Sequence, residues 1–186
     1  GVDRSLPMLQ QLRRDAGPLC PQVAQMDLHA LALRGRFALI LAPYSLITYL
    51  TTPAAVDQLL RTLRPLLGDT GRLVLDAFIP QPVTSFEDFR RDYLRPHAGG
   101  TLERAKRIRA LADGCNRIER RYTLRDADGR EQASFTTVDT IRPYTPDDLR
   151  AALTRHGYRV ERESLDYDSA HDGAARFFSV VGRGLA

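Results

Sequence analysis

The chain has 186 residues, 43% hydrophobic and 27% charged, a composition that suits one folded domain with its own core and argues against disorder. The longest apolar run, Phe37 to Pro43, falls well short of the roughly 20 residues that span a bilayer, and no signal-like segment opens the chain, so a cytoplasmic protein without membrane contact is expected. The net charge of +4 is carried almost wholly by arginine, Lys106 being the only lysine, and the two cysteines, Cys20 and Cys115, have no His or Cys neighbours at ligand spacing, so free thiols are expected and a zinc site is not.

Ser5 to Arg14 reads as a short surface helix, with Ser5 as N-cap, Pro7 in the first turn, Leu6, Leu9 and Leu12 at helical spacing, and a stop near Gly17-Pro18. Val23 to Met26 is predicted as a brief strand and Asp27 to Gly35 as a loop. Phe37 to Leu41 lacks alternation, which predicts a strand buried on both faces. Thr52 then caps a helix with Pro53 at its first position and an apolar stripe of Val56, Leu59, Leu60, Leu63 and Leu67; Pro65 should shorten the last turn and Gly68 end it. Arg72 to Phe78 is the next buried strand, and the strand-helix-strand succession predicts a parallel sheet with right-handed crossovers.

After Pro80-Gln81-Pro82 the pattern changes. Ser85 to Tyr93 has helical spacing, while Arg117 to Leu124 and Gln132 to Ile141 flank Asp126-Ala127-Asp128-Gly129, a hairpin signal. Leu102 to Ala112 suits helix or strand by pattern. Thr145-Pro146-Asp147-Asp148 starts a helix that runs to His156 and stops at Gly157, with acids at the positive end of its dipole. Tyr158 to Arg162 and Ala175 to Val181 supply the last strands.

Three segments carry a family likeness: Gly1-Val2-Asp3-Arg4-Ser5-Leu6-Pro7-Met8-Leu9, Phe37 to Leu50 with Ala42-Pro43-Tyr44-Ser45 at its centre, and Gly71-Arg72-Leu73-Val74-Leu75-Asp76. Together they resemble the class I S-adenosylmethionine-dependent methyltransferases, over Gly1 to about Gly182. The resemblance implies an α/β fold: a Rossmann-like methyltransferase sheet, mostly parallel with an antiparallel last strand, plus an antiparallel β insertion. It implies a core of residues 1–81 and 143–186, with 82–142 inserted as a lid or acceptor pocket, and it makes Leu102 to Ala112 a strand.

It also implies roles. Asp3 would accept from the two ribose hydroxyls of the cofactor S-adenosylmethionine, with Ser5 and Met8 beside the adenosine. Asp27 would accept from the adenine amino group, and the N–H of Leu28 would reach the ring. Pro43 would touch the methionine part of the cofactor. Tyr44 would face the acceptor, orienting it or taking its proton, and Asp76 ends the adjacent strand at the same cleft. From the residues alone, His97 in the Gly-rich Pro96-His97-Ala98-Gly99-Gly100 loop is the most plausible imidazole base, since such a loop could swing over a pocket. His29, His156 and His171 have no partner in view.

The chain departs from the family in one respect: the strand, Gly-rich loop and helix that precede the position of Gly1 there are not in this sequence. An upstream segment of that kind, or another chain, is expected to pair with Phe37 to Leu41. The expected activity is methyl transfer to a hydroxyl or amine of a small-molecule acceptor. The alternatives are a non-catalytic methyltransferase-like binding module and, resting only on the arginine-rich stretch Leu102 to Arg125, nucleic-acid binding or RNA methylation. That stretch more simply forms the solvated face of a sheet. A homo-oligomer, or a second chain completing the sheet, is compatible with the reading. No Gly-x-Ser-x-Gly elbow, P-loop or dinucleotide fingerprint is present.

Overall fold

The chain is described by a computed structural model covering residues 1–81, 83–167 and 175–185. A small N-terminal unit comes first. Strand β1 (Val2–Asp3) pairs in parallel with β2 (Ala24–Gln25) and is joined to it by helix α1 (Leu6–Ala16). The Ser5 hydroxyl accepts the Met8 N–H and caps α1, of which only Leu9 is buried. The strand expected over Val23 to Met26 is thus just two residues long.

The core sheet contains β3 (Phe37–Ala42), β4 (Leu67–Phe78), β9 (Tyr158–Leu165) and β10 (Phe177–Gly184), in the order β3-β4-β10-β9. β3 runs parallel to β4, whereas β10, the last strand, lies antiparallel to both of its neighbours. Helix α2 (Pro53–Leu63) starts at Thr52, whose side chain accepts from Ala55, and buries Val56, Leu59, Leu60 and Leu63. Pro65 converts the end of α2 into a 3₁₀ turn over Arg64–Leu66, so Leu67 and Gly68 are residues of β4, and Gly68 is not a helix stop. Helix α3 (Pro146–Arg155) opens with a full capping box between Thr145 and Asp148. The two helices bury the apolar face of the sheet, where Leu73, Leu75, Phe178 and Val180 meet Leu60, Leu149 and Leu153. Each such side chain contributes about 2 kcal/mol of transfer free energy. At one end of this layer Asp57 of α2 takes both the Arg155 guanidinium and the His156 ring at 2.8 Å, giving His156 a partner the sequence did not suggest.

The other face of the sheet corrects the expectation for Phe37 to Leu41. Phe37, Leu39 and Leu41 alternate toward it, and Leu41 is 61% exposed, because no layer covers that face among the described residues. Among the described residues β3 is also paired only with β4, and β1–β2 form a separate sheet.

Between β4 and α3 lies a second sheet of four antiparallel strands in sequential order: β5 (Phe86–His97), β6 (Gly100–Ala110), β7 (Asn116–Arg125) and β8 (Glu131–Ile141). The helix expected over Ser85 to Tyr93 is therefore a strand; Pro82, where the insertion was expected to start, lies outside the described residues. Two register shifts, between Phe86 and Arg90 and between Arg91 and Tyr93, spoil the two-residue alternation and leave a helix-like spacing of aromatics. Gly100 is required at the β5–β6 turn, since a Cβ there would stand 1.9 Å from the Arg125 carbonyl oxygen.

The arginines of β6 and β7, Arg121 excepted, are paired with carboxylates. Asp92 holds Arg104 and Lys106, Glu119 holds Arg107 and Arg117, and Asp139 holds Arg120. Arg107 and Arg121 stack over the Phe89 ring at 4.9 and 4.5 Å. With their charge spent within the sheet, these arginines should make few phosphate contacts. RNA and DNA binding is expected to be weak, with a shallow salt dependence in fluorescence anisotropy between 50 and 200 mM salt. A loss of about 10³-fold over that range, abolished in a variant lacking Arg107, Arg109, Arg120 and Arg121, would restore the nucleic-acid reading.

Candidate active site

In an open α/β sheet the ligand edge is where the parallel strands end. At that edge Asp76, near the end of β4, is 3% exposed, and its carboxylate organises the chain leaving β3. Oδ1 accepts the Ser45 N–H at 2.5 Å, and Oδ2 accepts the Tyr44 N–H at 3.1 Å and the Tyr167 hydroxyl at 2.8 Å. The Ser45 hydroxyl in turn accepts the Phe78 N–H at 2.8 Å, tying the loop to β4 a second time. Tyr44 and Ser45 both hold left-handed backbone angles, with φ of 59° and 56°. Two successive non-glycine residues in that region cost on the order of 1 to 3 kcal/mol each, and the carboxylate clamp offsets the strain.

The clamp turns the Tyr44 side chain outward, where it is 84% exposed. Tyr167, at the turn after β9, is exposed as a ring but has its hydroxyl turned in. Burial first, and the Asp76 carboxylate second, push its pKa up to about 12. Ser179 of β10 pairs in register with Asp76, so it lies on the same face. Its hydroxyl is buried and has no partner among the described residues.

The remaining candidates fall in two other places. Asp3 ends β1 and Asp27 follows β2 by two residues, the two segments joined beyond the strand pair by the Met26 N–H to Asp3 carbonyl bond of 3.0 Å. Asp3 Oδ1 accepts the Ser5 N–H at 2.7 Å; Asp27 Oδ1 accepts the His29 N–H at 2.8 Å and faces the ring Nδ1 at 2.9 Å. The His29 N–H, and after it the His29 ring, hold the Asp27 carboxyl below the ordinary carboxylate range. Each aspartate therefore uses one oxygen as a local cap, and its second oxygen has no partner among the described residues. Met8 is exposed on α1, and Leu28 packs against the core beside α2. Pro43 is exposed in the clamped loop, its carbonyl accepting from Leu46.

His97 stands elsewhere. It ends β5 opposite Gly100, at a tight turn through Ala98 and Gly99 with φ of 46° and 78°. That turn is at the opposite end of the inserted sheet from Cys115 and Arg142, which contact the carbonyls of Thr51 and Thr48 next to the core. The Gly-rich stretch is thus a hairpin turn, and His97 is not brought to Tyr44 or Asp76. His171 lies outside the described residues. Among the described residues no cluster of His, Cys, Asp and Glu could hold a metal ion, and no helix is long and apolar enough to cross a membrane. Cys20 and Cys115 are both free thiols.

Sequence reasoning missed Tyr167, Phe177 and Ser179. The signal that could have found Tyr167 was its place just beyond a strand that runs the same way as β4.

The strand order, the last strand reversed between β4 and β9, and the clamped loop after β3 together define the fold of the class I S-adenosylmethionine-dependent methyltransferases. Solved structures bear this out. A methyltransferase of that dependence from Clostridium acetobutylicum superimposes with a TM-score of 0.81 at 14% identity, over 98% of this chain and 73% of that one. The sugar N-methyltransferase KedS8 from Streptoalloteichus matches at 0.76 and 22%, over 99% and 70%. CalS10 from Micromonospora echinaspora, an amino pentose methyltransferase solved with S-adenosylmethionine bound, matches at 0.74 and 20%, over 98% and 72%. No family model and no curated protein sequence matches the chain.

Proposed function

We propose that this chain carries out S-adenosylmethionine-dependent methyl transfer to a hydroxyl or amine of a small molecule, with the 82–142 region as lid or acceptor pocket. The observation that carries the reading is the carboxyl-end edge: the Asp76-clamped loop after β3, and two aspartates, one ending β1 and one just beyond β2, that each keep one oxygen unpaired among the described residues. The donor set suits the cofactor. Asp3 would accept from the ribose hydroxyls and Asp27 from the adenine amino group, with Ser5, Met8 and Leu28 as the adenosine surround and Pro43 against the methionine part. The cofactor, when bound, supplies an electrophilic methyl on a sulfonium whose departure as a neutral thioether needs no acid. What remains for the protein is positioning, worth several kcal/mol of barrier when the reacting atoms are held in line, and an outlet for the acceptor's proton, to solvent or to the Tyr44 phenol. The clamped loop suits that task, because Asp76 fixes the backbone that sets the direction of Tyr44. Solved neighbours described as sugar and amino pentose methyltransferases support a small-molecule acceptor.

Calorimetry with S-adenosylhomocysteine tests the reading. Asp3→Ala and Asp27→Ala should each weaken binding by about 1 to 3 kcal/mol, the cost of leaving a ligand hydroxyl or amine without its acceptor. Unchanged affinity in both variants would remove the assignment.

A further inference from the structure

The edge around Asp76 has a second property besides rigidity. Phe78 and Phe177 pack with ring centroids 4.4 Å apart, and Phe177 and Tyr167 at 5.6 Å, so three rings form a row whose Tyr167 end reaches the carboxylate through its hydroxyl. Tyr44 joins them at the same carboxylate, its backbone N–H and the Tyr167 hydroxyl sharing one oxygen. Tyr44, Phe78 and Tyr167 are all exposed, an arrangement that the burial of apolar surface does not favour.

The carboxylate beneath them is buried, and among the described residues no arginine, lysine or histidine pairs with it. Buried charges ordinarily have a counter-charge. Here two backbone N–H groups and a phenol solvate the anion, and its charge stays uncompensated beneath an aromatic rim. The faces of those rings are themselves electronegative. With its oxygens occupied, Asp76 offers no bare coordination site to a small hydrated metal ion, and the rings offer nothing to a neutral polyol. The combination selects a cation whose charge lies under a hydrocarbon skin, which is an alkylammonium group. The buried hydroxyl of Ser179 on the same face is a further polar group there without a partner among the described residues.

We propose that the rim of Tyr44, Phe78 and Tyr167 around Asp76 binds an organic amine in its cationic form. The cation site stands without the methyltransferase reading; the amine's role as methyl acceptor rests on that reading, and there it would first release a proton to solvent, because only the neutral form has the lone pair that attacks the methyl group.

The probe is tetramethylammonium, with tert-butanol as its neutral counterpart of similar shape, titrated into the full chain and followed by NMR. Saturable shifts confined to this edge are expected with the cation and not with the alcohol. Tyr44→Ala should weaken cation binding at least fivefold, and Tyr44→Phe, which keeps the ring, should not. Because Tyr44 projects into solvent, both variants should fold. Phe135→Ala, at an exposed ring of the inserted sheet, should leave binding unchanged. Equal response to the two probes, no saturable response to the cation, or indifference to Tyr44→Ala would each overturn the proposal. Binding of S-adenosylhomocysteine in the same preparation separates the two readings: its loss with the cation site intact would sink methyl transfer alone, and its retention without cation binding would sink the amine alone.

Discussion

Asp76→Ala is expected to destabilise the chain by on the order of 3 kcal/mol, and to do so at a residue that lies outside the apolar core. Three donors lose their acceptor at once, the N–H groups of Tyr44 and Ser45 and the hydroxyl of Tyr167. A hydrogen bond to a charged group is worth about 1.5 to 3 kcal/mol, and a buried N–H left unpaired costs about 1 to 3 kcal/mol more. Relief of the anion's own burial offsets part of this, as does relaxation of the left-handed backbone at Tyr44 and Ser45. Asp76→Asn should not rescue it, because both oxygens accept and an amide supplies only one. Tyr167→Phe, which removes a single donor from the exposed side, should cost about 1 kcal/mol. Urea unfolding of the three variants provides the comparison. Equal stability of Asp76→Ala and the parent chain would show that the clamp does not hold the loop.

The network was only half legible in the sequence. Ala42-Pro43-Tyr44-Ser45 and Asp76 could be placed at one edge because each ends an apolar run, and a parallel strand pair sends its ends the same way. That Asp76 would serve the loop through its carboxylate, and that Tyr167, 91 residues further on, would donate to it, depends on a strand order the local pattern does not encode. Local chemistry fared best. Ser5, Thr52 and Thr145 all cap helices as read, since a cap needs only the three residues after it. β5 misled because its register shifts space Phe86, Phe89 and Tyr93 like a helix face. The apolar run of β3 misled differently: continuous hydrophobicity signals two faces that can be covered, and Leu39 and Leu41 stand uncovered among the described residues. For the adenosine-side candidates Asp3 and Asp27, the structure adds an oxygen on each without a partner among the described residues, and their closeness at the ends of the β1–β2 pair.

Stability should also fall steeply above about pH 10, and tyrosines should be the cause. The chain offers few other groups in that range: seven tyrosines, two cysteines and a single lysine among 27 basic residues, the rest being arginine, which stays charged. Tyr144 is buried and donates its hydroxyl to the Leu50 carbonyl; burial pushes its pKa up to about 12 from an ordinary value of 10.0. Tyr158, buried beneath α2, donates to the Leu60 carbonyl at 3.0 Å, and burial pushes its pKa up as well. A raised folded-state pKa means that the neutral phenol is favoured in the folded chain, so the stabilisation is complete below pH 10 and drains away as the pH climbs toward the folded values. For Tyr144 alone the loss would be on the order of 3 kcal/mol, at about 1.4 kcal/mol per unit. Thermal melts by circular dichroism at pH 8, 10, 11 and 12 should show the midpoint dropping between 10 and 12, with phenolate absorbance at these two residues appearing only as the chain unfolds. Tyr144→Phe should start less stable at pH 8, by about 1 kcal/mol, because the Leu50 carbonyl loses a donor. Its melting point should then fall less between pH 10 and 12 than that of the parent. A parent chain whose midpoint stays flat to pH 12, or a Tyr144→Phe chain with an undiminished slope, would show that these phenols ionise without opening the layer between α2, α3 and the core sheet.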